Sequence, residues 1–210
     1  MDKKFAIFDM DGTLIDSMVF WKNLATEYLT ASGVAKIPGE ILERIKPMTM
    51  SESAELFKRE FSLTGDVEAQ MNTLMDNHYR TDIPLKPGVE EYLQSLHCRG
   101  VRMCVASATA EHLMERCLMR LGVKWYFEFL LSCETVGAGK RSPLVYQEAA
   151  KRLGAVPEEI AVYEDALYAV QTAKEAGFHV VGVYDDSAAG SWQTIEKVAD
   201  ELIVNWEDEK

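Results

Sequence analysis

Phe5-Ala-Ile-Phe-Asp9-Met-Asp11-Gly-Thr-Leu-Ile-Asp-Ser17 sets two carboxylates two residues apart, where a short apolar run breaks into a glycine-containing turn. A run as brief as Phe5 to Phe8 suits an interior strand of a parallel sheet, buried on both faces. Ligands of open α/β sheets gather at the carboxyl ends of such strands, so Asp9 and Asp11 are expected to face a shared crevice.

Outward from this stretch the chain changes character twice. Residues 17 to about 81 lose strand character and read as successive helices: Met18 to Ser32, Gly39 to Lys46, Ser51 to Phe61 and Val67 to Tyr79. Thr49-Met-Ser-Glu52 has the form of a capping box, and Gly33 and Gly65 sit where helices should stop. From Pro84 onward, short apolar runs (Val101 to Ala106, Phe127 to Cys133, Ile160 to Tyr163, Val180 to Tyr184, Leu202 to Val204) alternate with amphipathic stretches. Those stretches, Val89 to His97, Glu111 to Leu121, Pro143 to Leu153, Leu167 to Ala176 and Ala188 to Val198, read as helices. Such alternation implies an α/β fold, a Rossmann-like parallel sheet with helices on both faces. A lone first strand has nowhere else to bury its two faces, so residues 1–15 join residues 84–210 in one core. Residues 16–83 then form an all-helical insertion, entered and left near Ile15-Asp16 and Ile83-Lys86. The acidic stretch Trp206 to Lys210 is expected to fray.

Bulk properties narrow the function. The chain has 210 residues, 34 acidic and 22 basic, with a formal charge of −12. That balance argues against nucleic acid and against an anionic membrane surface as partners. An acidic protein handling anionic substrates must supply local positive charge from a metal ion or a placed Lys or Arg. Cys98, Cys104, Cys117 and Cys133 show no metal or disulfide spacing and read as buried free thiols of a cytoplasmic protein. The apolar run before Asp9 is too short for a signal-peptide core or a membrane span. His78, His97, His112 and His179 fall in no triad or ligand spacing.

The opening stretch resembles motif one of the haloacid dehalogenase-like hydrolase superfamily, and three later segments resemble its other motifs in order. Val105-Ala-Ser107 is similar to motif two, Lys140 in Gly139-Lys-Arg-Ser-Pro143 to motif three, and Val162-Tyr-Glu164-Asp165 to motif four. The resemblance is to the phosphatase and β-phosphoglucomutase-like subfamily with a helical cap. It implies Asp9 as nucleophile, forming an aspartyl-phosphate, and Asp11 as general acid and base. Mg²⁺ would be held by Asp9, by the Asp11 main-chain carbonyl, and by Asp165 directly with Glu164 through water. Lys140 would touch Asp9 and the phosphoryl oxygens, Ser107 would donate to the same oxygens, and backbone N–H groups of Gly12 and Thr13 would approach them. Asp16 and Ser17 match the motif as brace and helix cap.

Asp11 favours phosphate esters over carbon–halogen bonds, because a halide leaving group needs no proton. The implied enzyme is a Mg²⁺-dependent phosphatase for a small phosphorylated metabolite, with the cap closing to exclude water. A β-phosphoglucomutase-like sugar phosphomutase is the alternative, and Arg44 or Lys46 could then hold its second phosphate. Trp21, Lys22, Arg44, Lys46, Tyr79 and Arg80 are the candidate cap contacts. A phosphate-accepting receiver domain is the reading from another class; it lacks the helical insertion and the second aspartate. Where relatives commonly carry Ser and Gly after the acidic pair this chain has Ala166 and Ala169, and around Lys140 it has Arg141 and Leu144 in place of Pro and an acid. Oligomeric state and substrate identity are not written in the sequence.

Overall fold

The computed structural model describes residues 3–45, 48 and 50–209. Lys46 and Thr49, and with Thr49 the capping box, lie outside the described residues. The chain divides into two compact units, residues 1–18 with 83–210, and residues 19–82.

The larger unit is built on a six-stranded parallel sheet: β1 (Phe5–Phe8), β2 (Arg102–Ser107), β3 (Phe127–Ser132), β4 (Ile160–Glu164), β5 (His179–Val183) and β6 (Glu201–Ile203), in the order β3-β2-β1-β4-β5-β6. β1 runs between β2 and β4, with Phe5 opposite Arg102 and Ile160, and Phe8 opposite Val105 and Tyr163. Ala6, Ile7 and Phe8 have no exposed surface, as their unbroken apolar run requires. Ile7 joins Cys104, Leu131, Tyr146, Val162, Val180 and Ile195 in one continuous core cluster. Phe8 stacks on Tyr163 with ring centroids 4.2 Å apart. A fully buried aromatic of this kind contributes about 1.5–3 kcal/mol by leaving water. Strand order reverses between β1 and β4, the switch point at which sheets of this class open a crevice.

The helices of the smaller unit and its lead-in are α1 (Met18–Ala31), α2 (Gly39–Ile45), α3 (Met50–Phe61) and α4 (Val67–Thr81). Between the strands run α5 (Val89–Cys98), α6 (Glu111–Arg120), α7 (Cys133–Val136), α8 (Leu144–Leu153), α9 (Leu167–Glu175) and α10 (Trp192–Val198). α7 is an additional turn of helix, opened by the Ser132 side chain accepting the Glu134 N–H and stopped at Gly137. The stretch from Ala188 is 3₁₀ before it becomes α10.

Two expectations are corrected. The segment from Trp206 does not fray: Trp206 is buried, packs against Tyr92 and Tyr163, and donates its Nε1–H to the Thr13 carbonyl at 3.2 Å. Its indole finds an apolar seat while Glu207 to Glu209 stay exposed, so local acidity does not decide the segment's fate. Gly88 makes room for it, with φ +86° and an added Cβ only 2.5 Å from the Glu207 amide. Cys98 is exposed, because it ends α5 on its outer face, whereas Cys104, Cys117 and Cys133 are buried free thiols.

Candidate active site

Pairing in the sheet brings the two acidic segments together. Asp9 follows β1, Glu164 ends β4 and Asp165 follows it, and the Asp9 N–H donates to the Tyr163 carbonyl at 3.0 Å. Adjacent strands lie about 4.8 Å apart, so residues at their ends meet without any special loop. One carboxylate oxygen each from Asp9, Glu164 and Asp165 falls within 4.8 Å of the others, and all three residues are buried.

Lys140 enters from the loop between α7 and α8. It is buried, and its Nζ donates to Asp9 Oδ1 and, at 2.6 Å, to Glu164 Oε1. Tyr146 in α8 donates its hydroxyl to the same Glu164 oxygen at 2.6 Å. Glu164 Oε2 is buried with no partner. An orphaned carboxylate oxygen is costly, and hard oxygen donors gathered around one point are the ligand set a divalent cation such as Mg²⁺ takes. Asp9, Glu164 and Asp165 therefore fit a metal.

The electrostatics agree. Burial pushes the Asp9 carboxyl well above its ordinary range; the Lys140 ammonium opposes this, while Glu164 and Asp165 add to it. Burial, then the neighbouring Glu164, pushes Asp165 up to about 7. Burial alone would lower Lys140, but Asp9 and Glu164 overcome it and hold the ammonium above its usual value. Burial, reinforced by Glu164, keeps the Tyr146 hydroxyl a neutral donor.

Asp11 stands apart from the three. Ser17 donates its hydroxyl to Asp11 Oδ1 at 2.7 Å, and Thr109 donates to Oδ2 at 2.6 Å. Ser17 is thus tied to the aspartate. Ser107 ends β2, buried, and accepts the Thr109 N–H at 3.2 Å. Thr13 donates its hydroxyl to Asp165 Oδ1 at 3.3 Å. The Gly12 N–H is taken by the Ile15 carbonyl at 3.0 Å; what glycine supplies is close approach, since at φ +81° an added Cβ would lie 2.5 Å from Asp165 Oδ2.

Thr109 and Tyr146 were not among the residues expected from sequence. Tyr146 lies on the apolar face of an amphipathic helix and reads as core; its hydroxyl was the available signal. Four of the candidate cap contacts, Trp21, Tyr79, Arg44 and Arg80, are engaged within the helical unit. Trp21 donates to the Tyr79 hydroxyl at 3.2 Å, Arg44 pairs with Glu60 at 3.6 Å and Arg80 with Asp76 at 3.8 Å, while Lys22 is exposed. No helix among the described residues is long and apolar enough to cross a membrane.

Buried carboxylates held against one lysine at the switch point of a parallel α/β sheet make the site of an enzyme that handles anions. The chain belongs to the haloacid dehalogenase-like hydrolase family, whose pattern matches residues 6–183. It is 26% identical over 174 residues to the phosphorylated carbohydrates phosphatase of Thermotoga maritima, covering 81% of this chain and 80% of that one. It is 28% identical over 189 residues to the phosphoglycolate phosphatase of Nitrosospira multiformis, covering 84% and 81%. Its fold is shared with a provisionally assigned beta-phosphoglucomutase from Thermotoga maritima, at a TM-score of 0.82 and 24% identity over 98% of this chain and 95% of that one.

Proposed function

We propose that this hydrolase of phosphate esters is a Mg²⁺-dependent phosphatase for small phosphorylated metabolites, working through an aspartyl-phosphate on Asp9. The observation that carries the reading is the division of labour between two aspartates two residues apart. Asp9 lies in the buried cluster with Lys140 on it, and Asp11 is held outside that cluster by two hydroxyls.

Asp9 attacks phosphorus through one carboxylate oxygen, and the bond from phosphorus to the leaving oxygen breaks. Lys140 offsets charge on Asp9 and on the phosphoryl oxygens, and Ser107 donates to those oxygens. Asp11 gives its proton to the departing alcohol, then takes one from the water that opens the acyl phosphate. Mg²⁺, held by Asp9, Glu164, Asp165 and the Asp11 carbonyl, would supply charge neutralisation at the phosphoryl group.

Residues 1–15 with 84–210 act as the catalytic core and 16–83 as the helical cap, in a cytoplasmic enzyme. The relatives act, by their names, on phosphorylated carbohydrates and on phosphoglycolate, which supports small substrates here. Purified protein should release inorganic phosphate steadily from p-nitrophenyl phosphate with Mg²⁺ and stop on addition of EDTA. A single stoichiometric burst without turnover, or release indifferent to EDTA, would refute the reading.

A further inference from the structure

The loop that delivers Lys140 inward also carries Arg141, which the chemistry above does not use. Consecutive Cα atoms lie about 3.8 Å apart, so two cations leave this loop side by side, one buried and one exposed. The Arg141 guanidinium lies over the ring of Tyr168, 4.7 Å from its centroid. Tyr168 stands in the first turn of α9, three residues after Asp165, and is 40% exposed. Burial first and then Glu164 push its hydroxyl above the ordinary value, with Lys140 opposing and Asp9 and Asp165 adding.

A guanidinium stacked on an aromatic spends its face on the ring and keeps its N–H edge in plane for a planar or tetrahedral oxyanion. Among the described residues, no hydrogen bond or ion pair engages that edge in Arg141. In a chain of formal charge −12, an arginine held by an aromatic instead of an acid is a cation kept available. A stacking contact this exposed orients a side chain; it is too weak to hold a loop.

We infer that Arg141, held by Tyr168, anchors a second oxyanion on the substrate, a carboxylate or a further phosphate joined to the transferred phosphoryl group by a short carbon chain. This rests on the phosphatase reading and narrows its substrate class to phosphate esters whose leaving group is itself anionic. Arg141 is a specificity residue; it takes no part in bond making or breaking.

The test compares kcat/KM for phosphate release from 2-phosphoglycolate and fructose 1,6-bisphosphate with that from glycerol 3-phosphate and p-nitrophenyl phosphate. In Arg141→Gln the ratio of kcat/KM for substrates with a second anionic group to that for substrates without one should fall about tenfold, carried by KM, as for loss of a charge-assisted hydrogen bond at an exposed position. Arg141→Lys should recover part of that loss, and Tyr168→Leu should lower the ratio about threefold by freeing the guanidinium. A larger loss on 2-phosphoglycolate identifies a carboxylate partner, and a larger loss on the bisphosphate identifies a phosphate. An equal loss on all four substrates, or none, overturns the inference. Wild-type protein that releases phosphate from none of the four refutes the phosphatase reading instead.

Discussion

Two ionic clusters in this chain obey opposite rules. In the helical unit, His78 is buried between Glu27 and Asp82: Nε2 meets Glu27 at 2.9 Å and Nδ1 meets Asp82 at 2.8 Å, so both ring nitrogens are engaged. In the α/β unit, Asp9 and Glu164 share one ammonium with Asp165 beside them, and Glu164 Oε2 has no partner. The first cluster is complete without a ligand and the second is not. Buried polar groups that close on themselves hold structure, whereas a cluster left short of positive charge holds a place for something else.

Replacing Asp9 would break the comparison most severely. Asp9→Asn keeps the shape and the Lys140 contact while removing the proposed nucleophile, so phosphate release should fall by at least about 10³-fold with the circular dichroism unchanged. Near-wild-type turnover would mean that the unfinished cluster is structural after all.

Metal comes next. If the carboxylate cluster is completed by Mg²⁺, millimolar Mg²⁺ should raise the Tm of wild-type protein above its value in EDTA by about 3–6 °C, through preferential binding to the folded state. Asp165→Asn should abolish most of that rise. An equal rise in both proteins would remove Asp165 from the site.

The smallest effect belongs to the complete cluster. Burial lowers the His78 pKa, but Asp82 and Glu27 overcome it and the net direction is upward. A folded-state value above the unfolded one means the stabilisation is fully present below the unfolded value, about 6.5, and is lost as pH rises through the folded value. Tm measured across this window should therefore show His78→Gln below wild type by about 2–4 °C at the acid end, with the gap narrowing toward the alkaline end. A gap that widens with pH would reverse the assignment of charge to this histidine.

The strands were legible because parallel strands are buried on both faces: Phe5 to Phe8 and Ile160 to Tyr163 announce themselves as apolar runs, and the acids that follow are therefore at strand ends. That β1 and β4 are neighbours follows from pairing, which one sequence does not display. Thr109 and Tyr146 were hidden for the same reason. A hydroxyl on a turn or on an apolar helix face acquires meaning only when a carboxylate from 98 or 18 residues away lands beside it. Trp206 was misjudged from its acidic neighbours, since four charged residues give no hint of where one indole will lodge.

That indole has a bearing on synthesis. Its partner, the Thr13 carbonyl, is 193 residues earlier in the chain, within the turn that follows Asp9 and Asp11. While a ribosome is still translating the intervening stretch, that turn lacks its tether and β1 lacks the flanking β4. A nascent chain thus carries Asp9 and Asp11 without the scaffold that aims them until β4 and Trp206 have emerged.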